Sequence, residues 1–259
     1  MAAEGWAGVE VAAHFFPKFE NTTSNELQGV LERCVKADGE GDVQMGEAGT
    51  DWAKQSSRGL LATLKHSGHL ILLAGVWNKK EGRAQIAVFS KNSTGNLFTQ
   101  VGEQILYQHF FSLLGSHGKA MSHLGRLAHY LYTEGLCVCC ECVAPRVCGD
   151  HGATPIAAYL VVTTISQHGA EERFLSLVDI INITQRWGLP MNEMWWVPQE
   201  KVAEACAALQ DVRWHGAYED VAVVLSSVGK RVGSPLFSHM QVQVCVTFIH
   251  CGGEDSRNL

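Results

Sequence analysis

Apolar residues alternate with other residues in several short stretches of the chain, a pattern typical of β-strands. Residues 61–77 read as strand, turn and strand, with the turn at residues 65–68. Residues 136–144 and 157–166 are rich in cysteine or β-branched residues and predict a hairpin with a long loop. The strands predicted in this way lie at residues 9–16, 61–77, 84–92, 136–144, 157–166, 194–198 and 240–250.

Apolar residues recur at spacings of three and four in other stretches, which predicts amphipathic helices. These helices lie at residues 25–36, 101–115, 122–135, 173–188, 199–210 and 218–229. Two of them end at a glycine, Gly115 or Gly135, which can serve as the C-cap. The overall prediction is an α+β fold with antiparallel strands and interspersed helices.

Net charge, the N-terminal residues and the cysteine content indicate which classes of protein the chain can belong to. The formal net charge is −6, which argues against a broadly basic nucleic-acid surface but leaves room for a local basic groove. The first ten residues are acidic and lack the basic and apolar stretches of a secretory signal. We therefore expect an intracellular protein without a membrane span, with its nine cysteines as reduced thiols.

Four lysines precede a glycine by three positions, as in enzymes that bind AMP covalently through lysine. They are Lys36, Lys65, Lys79 and Lys230. The amine must be neutral to attack a phosphate, so a rigid and partly buried turn suits it. Lys65 alone lies between two apolar strand-like stretches. Lys36 has the commoner motif but follows a helix into a Gly-rich acidic loop, and Lys79 and Lys230 lie in charged turns. An ordinary turn lysine is the alternative for Lys65.

Several blocks occur in an order that resembles the ligase domain of plant tRNA ligases, which is related to the phage RNA ligase 1 family. They are FFPKFEN (15–21), LKHSGHLILLAG (64–75), SKNSTGNLFTQVG (90–102), GDHGATPIAAYLVVT (149–163) and RWGLPMNEMW (186–195). The resemblance implies a nucleotidyltransferase fold with antiparallel sheets and flanking helices. It also implies an ATP-dependent enzyme of tRNA splicing, acting as a monomer on tRNA halves or other RNA ends in the nucleus, cytoplasm or plastid.

The resemblance also implies roles for individual residues. Lys65 would carry AMP, and Lys91 and Asn92 would line the nucleotide site. Glu141 would bind the ribose hydroxyls or a metal, for which Mg²⁺ is expected. Arg58 could reach a phosphate, although an ordinary surface arginine is equally plausible. Asp150 and His151 lie in a loop that the family retains, with no role assigned.

Two further groups of residues have simpler explanations. Cys137, Cys139, Cys140, Cys142 and Cys148, with His151, could suggest zinc. However, most of these cysteines lie in one predicted strand, where side chains alternate between faces, so inert buried thiols are favoured. The tryptophans Trp187, Trp195 and Trp196 could stack on a base, but a core role is favoured.

The resemblance is interrupted near residue 244. Tail residues 245–259 carry neither the Glu-Gly nor the Lys-x-Lys motif that follows in the family, and no lysine follows Lys230. We therefore expect an incomplete ligase domain at residues 10–244 and a divergent, disordered tail. Because lysines that neutralise phosphate stabilise the transition state, we expect slow or absent self-adenylation. The alternative function is an inactive fragment that binds nucleotide or RNA.

Overall fold

The computed structural model describes residues 11–14, 59–64, 66, 68–91, 93–144, 147, 158–168, 173–211, 218–231 and 246–249. The chain divides into two compact units. The first comprises Met1–Pro17 and His66–Met191, and the second comprises Lys18–Lys65 and Asn192–Leu259.

Ten strands and five helices form the described part of the fold. The strands are β1 (Gly59–Leu64), β2 (His69–Asn78), β3 (Arg83–Ser90), β4 (Ser93–Thr94), β5 (Leu136–Val143), β6 (Tyr159–Gln167), β7 (Arg173–Phe174), β8 (Met194–Pro198), β9 (Lys230–Arg231) and β10 (Val246–Ile249). The helices are α1 (Leu97–Leu114), α2 (His117–Glu134), α3 (Leu177–Trp187), α4 (Gln199–Asp211) and α5 (Tyr218–Val228). The predicted α+β class is therefore confirmed for these residues.

The first unit is built on a six-stranded antiparallel sheet in the order β4-β3-β2-β5-β6-β7. The predicted β5–β6 hairpin is confirmed. Its register shifts between Cys139 and Cys140, because Thr163 is an extra residue in β6. Such a β-bulge changes the face on which the following side chains lie.

Helices α1 and α2 pack on β2 and β3 of this sheet. The core includes Ile71, Leu73, Val138 and Phe110, all of them fully buried. Both helices end at the predicted glycines, Gly115 and Gly135, each with a positive φ. They begin earlier than the apolar spacing predicts, because Asn96 and Ser116 accept hydrogen bonds as N-caps and start an extra turn.

The second unit has a four-stranded sheet in the order β10-β1-β8-β9. Strand β1 runs parallel to β10 and antiparallel to β8. Helices α4 and α5 pack on this sheet around Trp195 and Leu225, which are buried. The predicted core role of Trp195 and Trp196 is confirmed, since their exposed fractions are 1% and 2%.

Several expectations from the sequence need correction. Strands β1 and β2 flank residues 65–68 as predicted, but they pair in different sheets and do not form a hairpin. Residues 11–14 form no strand. Strand β10 confirms the strand predicted at residues 240–250 for its four described residues, which pair with β1, and these residues of the expected disordered tail are therefore ordered. The predicted helix at 25–36 lies outside the described residues.

Among the helices described, none is long and apolar enough to cross a membrane.

We predict that Gly75→Ala destabilises the protein, because a Cβ atom at residue 75 would lie 2.1 Å from the carbonyl oxygen of Ala128 in α2. Overpacking of this kind costs about 1–3 kcal/mol. Gly125→Ala, on the same helix, is the control: it meets no atom within 4 Å and should stabilise by roughly 0.5–1 kcal/mol. Urea unfolding midpoints measure both effects, and equal midpoints would contradict the packing described for Gly75.

Candidate functional site

The glycine of the Lys65 motif lies directly against a neighbouring strand. A Cβ atom at Gly68 would lie 2.3 Å from the carbonyl oxygen of Cys142 and 3.1 Å from the Cα of Val143. No side chain fits in that space, so the segment approaches the end of β5 only because residue 68 is glycine. The motif's glycine thus has a packing role that its spacing alone did not establish.

The side chain of Glu141 accepts a hydrogen bond from the backbone of the same glycine. The backbone N–H of Gly68 donates a hydrogen bond of 2.7 Å to Oε1 of Glu141, and a charged acceptor makes such a bond stronger than a neutral pair. Glu141 lies opposite Leu70 in β2 and Val161 in β6. Two residues singled out in the sequence, 73 positions apart, therefore meet at one end of the sheet.

His66 is held by a residue that the sequence did not indicate. A hydrogen bond of 3.0 Å joins Nδ1 of His66 to the hydroxyl of Tyr159, and the two rings meet edge to face at 5.6 Å. Tyr159 lies opposite Val143, so it shares the sheet face of Glu141. Its one sequence signal was its position in a predicted strand, which carried no hint of a partner in the Lys65 motif.

Burial raises the pKa of Tyr159, and the nearby negative charge of Glu141 raises it further. The phenol therefore stays protonated at neutral pH and can donate a hydrogen bond. The cluster at this end of the sheet thus combines a carboxylate, a neutral phenol and an imidazole.

Lys91 lies at the same end of the sheet. It follows Ser90, which pairs with Ile71 of β2, and Ile71 in turn pairs with Cys140 of β5. The hairpin around Lys91 is fixed by the hydroxyl of Ser90, which donates to the carbonyl of Ser93 at 3.0 Å and accepts from Nδ2 of Asn96 at 2.8 Å. Lys91 itself is exposed, so its amine can reach a ligand.

Several predicted residues lie outside the described residues: Arg58, Lys65, Asn92, Asp150, His151, and Lys36 of the alternative motif. Lys65 is adjacent in sequence to both Leu64 of β1 and His66 of the cluster. Among the other candidates, Lys79 lies in the exposed turn between β2 and β3, as predicted. Lys230 is the first residue of β9, opposite Trp196, and does not lie in a turn.

The cysteines of β5 are fully buried and form no disulfide within the described residues: Cys137, Cys139, Cys140 and Cys142. Burial raises the thiol pKa of Cys139 and Cys140 above the ordinary value, which makes thiolate chemistry unfavourable there. Within the described ranges, no group of three or more His, Cys, Asp or Glu side chains could hold a metal ion. Cys148 and His151 lie beyond those ranges.

This arrangement suits a ligand that carries phosphates and hydroxyls. Mg²⁺ usually keeps several waters and binds one or two carboxylates together with substrate phosphates, so Glu141 needs no second protein ligand to take part. A cation such as Lys91 can neutralise phosphate charge, and a carboxylate can accept hydrogen bonds from ribose hydroxyls.

Comparison with known proteins shows similarity to a tRNA ligase. No protein-family model matches the chain. The chain is 29% identical over 239 residues to tRNA ligase 1 of Arabidopsis thaliana, a match that covers 90% of this chain and 19% of that protein. This similarity supports a relationship to the tRNA ligases. The chain spans about a fifth of the length of this relative.

We predict that Gly68→Ala lowers the free energy of unfolding by about 1–3 kcal/mol through overpacking against β5. Glu141→Ala should also destabilise, by roughly 1–3 kcal/mol, because the N–H of Gly68 loses its acceptor. Glu141→Gln keeps an acceptor oxygen and should cost less than Glu141→Ala. Urea unfolding of the three variants measures the differences, and no loss in Gly68→Ala would disprove the close approach.

We also predict that Cys139 and Cys140 resist alkylation by iodoacetamide in the folded protein at mildly alkaline pH. Their raised pKa values keep them as thiols, and the thiolate is the reacting species. In urea the pKa values return to about 8.5 and both residues should react. Mass spectrometry of the digested protein locates the label, and equal labelling with and without urea would contradict the burial of these thiols.

Proposed function

We propose that this chain is an adenylate-forming domain of an ATP-dependent RNA ligase that acts in tRNA splicing, with a nucleotidyltransferase fold. The observation that supports it most is the contact between Gly68 and Glu141. It links the glycine of the Lys65 motif to the proposed acidic residue, and the similarity to a tRNA ligase covers both.

In the first step of the proposed reaction, the neutral amine of Lys65 attacks the α-phosphorus of ATP. A nitrogen–phosphorus bond forms, the bond to the pyrophosphate oxygen breaks, and pyrophosphate leaves while the amine loses a proton to solvent. Lys91 and Asn92 would bind the nucleotide, and Arg58 would contact a phosphate. Charge-neutralising groups of this kind act most strongly when they are fixed in advance.

The next two steps transfer AMP and join the RNA. An oxygen of the RNA 5′-phosphate attacks the α-phosphorus, the nitrogen–phosphorus bond breaks, and Lys65 regains its proton. The 3′-hydroxyl of the other RNA end then attacks the 5′-phosphate, and AMP leaves with the oxygen that linked it. The hydrogen bonds between His66 and Tyr159 and between Gly68 and Glu141 position the described residues of the motif.

Glu141 is the residue of this site that would hold Mg²⁺, an ion that usually binds one or two carboxylates together with substrate phosphates and water. The ion supplies charge neutralisation at the phosphates.

The test is covalent labelling with α-labelled ATP and Mg²⁺, read on a denaturing gel. We expect slow labelling of the wild-type chain and none of Lys65→Ala, which lacks the nucleophile. Lys79→Ala, at an exposed lysine with the same motif spacing, should label like the wild type. Glu141→Gln should label about 100-fold more slowly, the size of a lost electrostatic contact in a transition state.

The same assay separates the alternatives. Label that persists in Lys65→Ala would show that another residue is the nucleophile. ATP binding without any label, measured by calorimetry, would support the alternative of a module that binds nucleotide or RNA without reacting. Rapid labelling to one AMP per chain would show that the expectation of slow self-adenylation is wrong.

A further inference from the structure

A pocket of the first unit lies away from Gly68, the glycine of the Lys65 motif. It has a volume of about 350 Å³, which falls within the usual range of roughly 300–1,000 Å³ for ligand sites. Its walls come from the end of α2, the outer face of α3 and the β6–β7 edge, and Leu136 and Ile183 form an apolar floor. Leu136 lies five residues before Glu141 in β5, or about 17 Å along the strand, and on the opposite sheet face.

Arg186 lies on the rim of this pocket, and two aromatic rings position its side chain. Its guanidinium lies over the ring of Tyr130 at 5.4 Å and over the ring of Trp187 at 5.7 Å. In the described part of the chain it makes no hydrogen bond or ion pair, although it is exposed and Glu134 and Asp179 line the same pocket. Two aromatic rings therefore fix a flat group of donors that has no acceptor among the described residues.

Other polar side chains around the pocket are held by hydrogen bonds. Nε of Arg173 donates to Oε1 of Gln167 at 2.8 Å, and Nε2 of Gln167 donates to the carbonyl of Glu134 at 2.8 Å. Asp179 accepts a hydrogen bond of 2.6 Å from Ser176. These bonds set the positions of a second arginine and of the Asp179 carboxylate at the pocket.

The charges around the pocket select the class of ligand. Two arginines and two carboxylates line the rim, so it has no net charge and attracts a simple anion only weakly. A flat group with acceptors on one edge and donors on another suits the rim better. A guanine base offers O6 and N7 to an arginine, as in the commonest base contact of proteins, and its N1–H and N2 amino group to a carboxylate. Unpaired bases also stack on aromatic rings and arginine planes.

We propose that this pocket binds an unpaired guanine of a single-stranded RNA, with Arg186 as the residue that reads the base. The choice of RNA as partner rests on the proposed ligase function. The pocket lies on the other face of the sheet from Glu141, so it would hold the RNA at a point distant from the joined ends.

The experiment compares binding of short fluorescent RNAs made of uridines with one central guanosine, adenosine, cytidine or uridine, in the absence of ATP. Fluorescence anisotropy at fixed salt gives the affinities. We expect the guanosine RNA to bind the wild type about 5- to 20-fold more tightly than the others, the size of one specific base contact. Arg186→Ala should remove this preference.

Two variants sharpen the result. Arg186→Lys keeps the charge but loses the planar fork, so it should also lose the preference for guanosine. Arg126→Ala makes the same change of charge at an exposed position of α2 outside the pocket and should keep the preference. Urea midpoints near that of the wild type show that each variant is folded.

Equal affinity of the wild type for all four RNAs, absence of RNA binding, or a preference that survives in Arg186→Ala overturns the proposal. The ligase chemistry is read separately from covalent ATP labelling, which Arg186→Ala should leave unchanged. A guanosine preference without any ATP label would therefore leave the pocket assignment standing and remove only the proposed reaction.

Discussion

Two close approaches of backbone to backbone govern the sheet of the first unit, and both depend on glycines in or next to β2. Gly75 lets β2 meet the backbone of α2, and Gly68 lets the start of the same strand meet the end of β5. A protein interior is packed too tightly to absorb even one additional methyl group at such points. The position of the Lys65 motif is thus tied to the packing of the sheet against its helix.

The main elements of the fold could be predicted from the sequence because apolar periodicity is a local property. The helix ends at Gly115 and Gly135 followed from cap chemistry, and the N-caps Asn96 and Ser116 were readable signals that apolar spacing overlooked. Pairing was much harder to predict. That β1 and β2 enter different sheets, and that β10 runs parallel to β1, depends on contacts between distant segments that no local pattern records.

In the candidate site, too, single residues could be predicted from the sequence, whereas contacts between distant segments could not. The strand context of Lys65 and the ordered blocks singled out its motif and Glu141 from sequence. The bond between Gly68 and Glu141 joins residues that are far apart in the chain, so the structure was needed to find it. No sequence signal indicated a bonding partner for Tyr159, because a tyrosine in a strand is usually a packing residue. Its role depends on a partner from a different segment.

The β-bulge at Thr163 makes this part of the chain sensitive to length. Along β6 the core-facing residues are Leu160 and Val162 before the bulge and Ile165 after it, a step of three in an otherwise alternating strand. Loss of one residue between Tyr159 and Val162 would shift Tyr159 by one place against β5 and turn it from the face of Glu141 toward the helices. A single-codon deletion here would therefore alter the candidate site as much as several substitutions, so relatives are expected to vary in side chains along β6 but to conserve the number of residues.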